Sequence, residues 1–145
     1  MRGPRNLQAM SNFHCSIIRF VRTREQAVRA SGLEPLQYQF LTLVEPLYAN
    51  GGQPNISKVA SRLGMRHHSA VELVDRLEER GLLERKRGKH DRRHVFLHAT
   101  PEGKKLLRRL VAKEQRAVRL FAPELLQSLK HVLHGNGAKA TRQKG

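Results

Sequence analysis

The sequence predicts a mainly α-helical fold with a small β-element of two or three strands. Apolar residues recur at three- and four-residue spacing over most of the chain, which is typical of amphipathic helices. Two short helical segments, residues 56–63 and 67–80, are separated by a tight turn at Gly64, as in a helix-turn-helix. After Gly81 the pattern changes to that of short strands, so a β-hairpin is expected to follow the second of these helices.

The N-terminal half is expected to begin with a loose basic tail at residues 1–11, followed by an amphipathic helix over residues 12–30. Pro35 suits the first position of a second helix, which Pro46 is expected to kink or end. Asn55 is a suitable N-cap for the first helix of the helix-turn-helix. These signals predict two helices before the helix-turn-helix.

The hairpin is predicted from two apolar runs, residues 82–86 and 94–98, around a basic tip at residues 87–93. A Thr-Pro-Glu run then supplies an N-cap, a proline for the first helical position and an acid for the first turn. The helix it starts is expected to end near Phe121, and Pro123 is expected to start a separate last helix. The C-terminal part is therefore predicted to be helical.

Charge indicates a polyanionic partner, because the chain carries 28 Lys and Arg against 12 Asp and Glu, a formal net charge of +16. Charge alone does not distinguish DNA from RNA or from a membrane surface. The single cysteine excludes an intrachain disulfide and fits a reducing compartment. We find neither a signal peptide nor an apolar run that could span a membrane, so a cytoplasmic location without membrane association is expected.

Three linked motifs identify a resemblance. The run LVDRLEERGLLER at residues 73–85 is followed by Asp-Arg-Arg at 91–93 and Thr-Pro-Glu-Gly at 100–103. In this order the motifs closely resemble the MarR family of dimeric winged-helix transcriptional regulators, over about residues 33–107. The resemblance implies that the helix from His67 is a recognition helix in the major groove of DNA. It also implies that the hairpin tip is a wing over the adjacent minor groove.

The resemblance assigns DNA contacts to two groups of residues. On the wing, Arg93 takes the last place in the family's Asp-x-Arg motif and is expected in the minor groove, with Lys89 and Arg92 on phosphates. Asp91 is expected to brace the wing, since a carboxylate beside a phosphate is repelled. The other candidates lie outside the apolar stripe of the recognition helix or at the start of the preceding helix: Ser57, Lys58, Arg66, His67, His68, Ser69 and Glu72.

Two positions depart from the family pattern. Arg66 stands where many relatives have an acidic residue that can pair with the wing arginine, and Glu72 stands where they often have a basic one. The family's base preference therefore does not transfer to this chain. Glu72 either accepts a hydrogen bond from a cytosine amino group or pairs with Arg76 one turn on.

The expected organisation has four segments: an N-terminal dimerisation helix at residues 1–32, a winged helix-turn-helix DNA-binding domain at 33–100, C-terminal dimerisation helices at 101–134, and a flexible basic tail at 135–145. Long terminal helices with little compact domain to cover them favour pairing with a second copy, and packing within one chain is the alternative. A homodimer implies a near-palindromic operator with half-sites about 10 bp apart. We expect a repressor that a small ligand or a modification releases.

The resemblance also implies regulatory sites. The resemblance implies an effector pocket between the dimerisation helices and the winged domain. The candidate residues for this pocket are Phe13, Ile17, Tyr38 and Phe40. The alternative is that these four residues belong to the ordinary apolar core. Some members of the family sense oxidants through a cysteine on this helix, so the resemblance makes Cys15 a candidate oxidant sensor, with Tyr38 as a neighbour and Arg19 one turn on to supply positive charge. The alternative for Cys15 is a small buried core residue.

Metal binding and catalysis find no support in the sequence. The chain has eight histidines, but no cysteine or carboxylate cluster completes a ligand set. His94 and His98 would lie roughly 13 Å apart on a strand. A nucleophile-base pair, paired carboxylates in an apolar setting and a phosphate-binding glycine loop are also missing. We therefore expect no metal, no cofactor and no enzyme.

Two other functions remain open. The first is an architectural protein that binds DNA without sequence preference, which the charge of +16 and the basic tails favour. The second is a module that binds RNA or a membrane through a basic amphipathic helix bearing Lys104, Lys105, Arg108, Arg109, Lys113 and Arg116. Deleting the wing should abolish operator binding but leave the activity of such a module intact.

Overall fold

The predicted mainly helical fold with a small β-element is confirmed. The computed structural model describes residues 3–134, apart from the side chains of residue 4 and residues 47–49. The described elements are α1 (Gly3–Ala30), α2 (Pro35–Ala49), α3 (Ile56–Leu63), α4 (His67–Glu79), β1 (Leu83–Arg87), β2 (Val95–Ala99) and α5 (Pro101–His134). The two strands form one antiparallel sheet. The tail predicted at residues 135–145 lies outside the described residues.

The chain divides into two compact units. The central unit comprises residues 27–113, and the described residues of the terminal unit are 3–26 and 114–134. Helices α1 and α5 contribute residues to both units. Every candidate DNA-contacting residue belongs to the central unit.

The central unit is built around one apolar core to which each of its helices and strands contributes. One backbone bond ties the sheet to the segment before α3, because the Leu97 N–H donates to the Pro54 carbonyl at 2.8 Å. The core holds the hairpin and the helices together as one body. Its buried residues are Val28, Leu33, Tyr38, Phe40, Leu41, Val44, Val59, Ala60, Ala70, Leu73, Val74, Leu77, Leu82, Leu83, Leu97, Leu106, Leu107 and Leu110.

Local signals determine the bounds of α3. The Asn55 side chain accepts a hydrogen bond from the Lys58 N–H at 2.9 Å, which satisfies a backbone donor of the first turn. Gly64 ends the helix in the left-handed conformation, with φ of 64°, where a residue without Cβ is favoured. The predicted N-cap and helix bounds are confirmed.

Both strands begin one residue later than predicted. The Leu82 N–H bonds to the Leu77 carbonyl at 3.0 Å, and the Leu82 carbonyl accepts from the Thr100 N–H at 3.1 Å, so Leu82 belongs to the turn after α4. The His94 N–H bonds to the Asp91 carbonyl at 3.2 Å, which places His94 in the tip. Turn bonds thus remove the first residue of each predicted strand.

The loose tail predicted for residues 1–11 is wrong for residues 3–11, which are the first turns of α1. This stretch lacks an apolar stripe, but residues such as Leu7 and Gln8 have good helix propensity. The Gln8 amide also donates to the Asn12 side chain at 2.9 Å, across one helical turn. Propensity and polar pairs extend the helix where hydrophobic periodicity gave no signal.

Neither internal proline ends its helix. Helix α2 continues past Pro46 to Ala49, and α5 is one helix through Pro123, so the predicted separate last helix is wrong. Proline in a helix interior removes one backbone bond and costs about 3 kcal/mol, which contacts on both sides can offset. On one side of Pro123, the Phe121 ring packs against the Phe20 ring with centroids 6.0 Å apart. On the other side, Ser128 is buried against α1.

The terminal unit pairs the first part of α1 with the second part of α5. The hydroxyls of Ser16 and Ser128 are buried and lie 2.9 Å apart. An ion pair joins Arg19 to Glu124 at 3.1 Å. Small buried serines allow a close approach of the two helices, while the ion pair lies at the edge. Large apolar side chains remain exposed in this unit: Leu7, Met10, Ile18, Val118, Leu120, Leu126, Leu129 and Leu133.

Candidate nucleic-acid interface

Helix α4 separates an apolar side from a polar one. Its buried residues are Ala70, Leu73, Val74 and Leu77, which fix the helix on the core. The predicted contact residues are on the opposite side: Arg66, His67, His68 and Glu72 are exposed, and Ser69 is half-buried. Burial of one stripe therefore directs polar groups of the first two turns toward solvent.

The start of α3 adds further polar groups next to α4. Ser57 and Lys58 are exposed in the first turn of α3. The Ser57 hydroxyl lies 3.4 Å from Nδ1 of His67, so the starts of the two helices adjoin. Amide groups at a helix start attract anions. The structure thus brings these candidates from two helices together.

The hairpin tip is held by Asp91. One of its carboxylate oxygens accepts from the backbone N–H of Arg93 at 3.0 Å and from the Arg93 side chain at 3.2 Å. The other carboxylate oxygen lies 3.3 Å from Nδ1 of His94. The hydrogen bonds from Arg93 lower the pKa of Asp91 and thus favour its charged form. Arg93, Lys89 and Arg92 are exposed around it.

Arg85 is an important residue that the sequence analysis did not single out. It lies on β1, and its guanidinium pairs with Asp75 at 2.6 Å and with Glu78, both on α4. Partial burial lowers the pKa of Arg85, but the hydrogen bonds to the two carboxylates outweigh this and raise it above the ordinary value. The charged side chain therefore links the hairpin to α4. The sequence contains a signal for this pairing. Two acidic residues lie three positions apart beside the apolar stripe of α4, and an arginine follows on the next strand.

The remaining predicted residues are distributed over both units. Tyr38 and Phe40 are buried in the core of the central unit, whereas Phe13 and Ile17 are half-buried in the terminal unit. Cys15 is exposed on α1, so it is not the buried core residue of the alternative interpretation. Glu72 forms no ion pair with Arg76 among the described residues. The effector pocket and the redox role stay predictions.

Proteins that present an exposed helix of a helix-turn-helix beside a basic antiparallel hairpin are winged helix-turn-helix proteins, and this chain is one of them. Residues 31–94 match the MarR family model. This match and the structural neighbours below support a MarR-type winged helix-turn-helix regulator. The resemblance drawn from the sequence motifs is thereby confirmed.

Similar proteins include an uncharacterized HTH-type transcriptional regulator, YfiV of Bacillus subtilis, which is 32% identical over 87 residues, or 57% of this chain and 54% of that protein. The chain spans about half the length of the curated relatives that it matches. Among solved structures, the transcriptional repressor CouR bound to a 23-mer DNA duplex has a TM-score of 0.62 and 28% identity, covering 83% of this chain and 85% of that one. CouR from Rhodococcus jostii bound to p-coumaroyl-CoA has a TM-score of 0.60 and 25% identity, covering 81% and 85%.

No helix within residues 3–134 is long and apolar enough to cross a membrane. No group of three or more His, Cys, Asp or Glu side chains in the same part of the chain is arranged to hold a metal ion.

Proposed function

We propose that the chain is a transcriptional regulator that binds duplex DNA, with α4 in the major groove and the β1–β2 tip over the adjacent minor groove. The proposal depends on one observation: the start of α4 and the basic tip are both exposed, and both belong to the central unit. Arg85 links the hairpin to α4. An α-helix fits the major groove, and a narrow minor groove attracts arginine. The description of CouR as a repressor bound to a DNA duplex supports this function.

Individual contacts follow from exposure and chemistry. We assign Arg93 to the minor groove, and Lys89 and Arg92 to phosphates, since all three are exposed at the tip. Phosphate contacts position a protein on DNA, while contacts to base edges give sequence preference. On the helices, the proposed contact residues are Ser57, Lys58, Arg66, His67, His68, Ser69 and Glu72.

A homodimer is the proposed active form. The terminal unit consists of helical segments whose exposed apolar side chains include Leu120 at 74% and Leu133 at 69% relative accessibility. A pair of helices with so much exposed apolar surface has too small a core of its own. We therefore expect a second copy of the chain to bury these apolar side chains. Two-fold symmetry then implies a near-palindromic operator. Solution mass measurement should give twice the chain mass of 16.6 kDa.

We further propose that the dimer acts as a repressor which a small ligand or a modification releases from DNA. The relative CouR is described as a repressor and was solved both with DNA and with p-coumaroyl-CoA, which supports regulation of this kind. Occupation of an operator beside a promoter would block transcription. This function implies a cytoplasmic location.

The direct test is the affinity of the purified chain for DNA flanking its own coding region, measured by fluorescence anisotropy at fixed salt. Arg93→Gln should weaken binding by about 1–3 kcal/mol. Lys105→Gln is the charge-matched control, because it removes one positive charge from an exposed position of α5 outside the proposed interface. Equal losses in the two variants would mean that net charge alone drives binding, and the proposed geometry would be wrong.

Competition separates this proposal from an architectural role. Unlabelled random DNA should displace the flanking fragment far less well than the same unlabelled fragment does. Specific sites are commonly bound about 10³-fold or more tighter than random DNA. Equal displacement would favour the architectural function. Salt must be held constant, since each phosphate contact contributes a slope of about 0.9 in log affinity against log salt.

A further inference from the structure

Helix α5 carries exposed cations that the proposed DNA contacts do not use. Within the central unit, residues 101–113 of this helix include five basic residues and one acid, Glu102. Leu106, Leu107 and Leu110 are buried and fix this part of the helix on the core. The side chains on the other side are exposed, and we call them the α5 basic face: Lys105, Arg108, Arg109 and Lys113.

The α5 basic face is compact and strongly charged. Lys105, Arg109 and Lys113 are spaced by four residues, so each lies one turn from the next on the same side of the helix. At 1.5 Å per residue, the face is about 12 Å long. Like charges at this spacing destabilise a helix. The fold therefore keeps together four cations that repel one another, and an anion bound across them would relieve this repulsion.

The part of the chain that the structure describes does not neutralise this face. Among the described side chains of residues 3–134, no acid forms an ion pair with any of its four cations. The adjacent Lys104 differs, because its ammonium nitrogen lies 3.4 Å from a carboxylate oxygen of Glu45 on α2. The cations of the face are thus available to an anion from another molecule.

The residues around the cations do not suit a membrane surface. A helix that lies in a bilayer interface places several large apolar side chains, such as Trp, Phe and Leu, on its lipid-facing side. In this part of α5 the leucines are buried in the core instead. The exposed residue one turn after Arg108 and Arg109 is the small Ala112. The face therefore offers charge without the apolar groups that insert into lipid.

One apolar neighbour favours a protein segment over a nucleic acid. Val111 is exposed and lies one turn from Arg108, at the edge of the face. A peptide can place a carboxylate on the arginine and an apolar side chain on the valine, whereas a phosphate backbone supplies only the anion. Arginine binds a carboxylate through two parallel hydrogen bonds. At about 3.3 Å per residue, four residues of an extended peptide cover the face.

We infer that the α5 basic face is a docking surface for an acidic segment of another protein, whose carboxylates pair with the four cations and whose apolar side chain packs on Val111. The residues proposed to contact DNA lie on α3, α4 and the hairpin tip, so this surface uses none of them. The same chain can therefore hold DNA and a protein partner through different residues.

The test titrates the full chain, without DNA and at fixed ionic strength, with a capped eight-residue peptide of six aspartates and two leucines. Saturable shifts of backbone amide resonances are expected at residues 104–113. A peptide with asparagine at every aspartate position should bind at least about tenfold more weakly, because four exposed ion pairs are lost together. A peptide with serine at both leucine positions should bind about threefold more weakly. Equal binding of the serine peptide would remove the reason for choosing a protein partner and would overturn the inference.

Two variants with the same net charge locate the peptide. The first replaces the α5 basic face by glutamine and should lose at least about tenfold in peptide affinity: Lys105→Gln, Arg108→Gln, Arg109→Gln and Lys113→Gln. The second removes four exposed cations from the proposed DNA interface and should stay within about twofold of the unmodified chain: Lys58→Gln, Lys89→Gln, Arg92→Gln and Arg93→Gln. Equal losses in the two variants would show that net charge alone attracts the peptide.

Other anions test the class of partner. The inference is overturned if a short random DNA duplex or phosphatidylglycerol vesicles, at the same concentration of negative charge, perturb residues 104–113 more than the acidic peptide does. It is also overturned if the peptide shifts fall mainly outside those residues. Should the first variant fail to fold, the comparison of the peptides on the unmodified chain still decides. Peptide binding is measured without DNA, so its failure is distinguishable from failure of the proposed function.

Discussion

Gly103, in the first turn of α5, sits against the backbone that leads into β1. A Cβ built on Gly103 would lie 2.0 Å from the carbonyl oxygen of Leu82, whereas real contacts of this kind essentially never fall below 3.0 Å. The opposing atom is backbone and cannot rotate away. Gly103→Ala therefore requires the start of α5 to separate from the turn after α4 by at least 1.0 Å.

Three hydrogen bonds at this junction set the size of the effect. The Thr100 N–H donates to the Leu82 carbonyl at 3.1 Å, and the Thr100 hydroxyl donates to the Gly81 carbonyl at 2.5 Å. The same hydroxyl accepts from the Gly103 N–H at 3.0 Å, as an N-cap. Weakening two such bonds costs about 2 kcal/mol and overpacking about 1–3 kcal/mol, while alanine regains about 1 kcal/mol of helix propensity. The expected net loss is about 2–4 kcal/mol of unfolding free energy.

The assay is denaturant unfolding followed by circular dichroism at one fixed protein concentration, which matters if the chain dimerises. Gly3→Ala in α1 is the matched control, because a Cβ there meets nothing within 4 Å. Its unfolding free energy should change by no more than about 0.5 kcal/mol. A Gly103→Ala protein as stable as the unmodified chain, or more stable, would refute the close approach on which this reasoning depends.

Three smaller predictions concern other contacts. Asn55→Ala should cost about 0.5–2 kcal/mol of unfolding free energy through loss of the α3 cap, while Asn55→Asp should retain most of it. By NMR, His98 should titrate below its ordinary pKa, because burial and the charge of Lys86 disfavour the imidazolium. The Lys86→Gln variant should therefore raise the pKa of His98. An unchanged pKa in this variant would show that the charge of Lys86 has no effect on His98. Since the folded state holds the proton less tightly, His98 should reduce stability as the pH falls below about 6.5. Arg85→Met should lower unfolding free energy by about 1 kcal/mol and lower DNA affinity, and unchanged DNA affinity would show that the hairpin does not need this link.

Features set by neighbours in the chain could be predicted from the sequence. The bounds of α3 follow from Asn55 and Gly64, whose effects act within a few residues. The hairpin was predicted to within one residue for the same reason, since a change of hydrophobic period marks it. The exposed side of α4 also followed from its apolar stripe, so the candidate contact residues on this helix could be named in advance.

Features set by distant contacts could not be predicted. A proline at position 123 is an ordinary signal for a helix end, and only the packing of α1 against α5 on both sides of it keeps α5 continuous. The pairing of Arg85 with α4 required knowledge of how β1 lies on that helix.

The two kinds of feature meet in the geometry of the proposed DNA interface. The residues that would contact DNA are exposed, and their exposure can be predicted from the sequence pattern. Exposed residues contribute little to the stability of the fold, so their relative positions are determined by other residues. Their spacing depends on Arg85, which joins the hairpin to Asp75 and Glu78, and on Gly103, which lets α5 approach the strand's start. A rigid junction of this kind fixes where the tip lies when α4 enters a groove, because the tip and the helix then move as one body. The sequence preference of the interface would therefore depend on buried and half-buried residues as much as on the side chains that reach the bases.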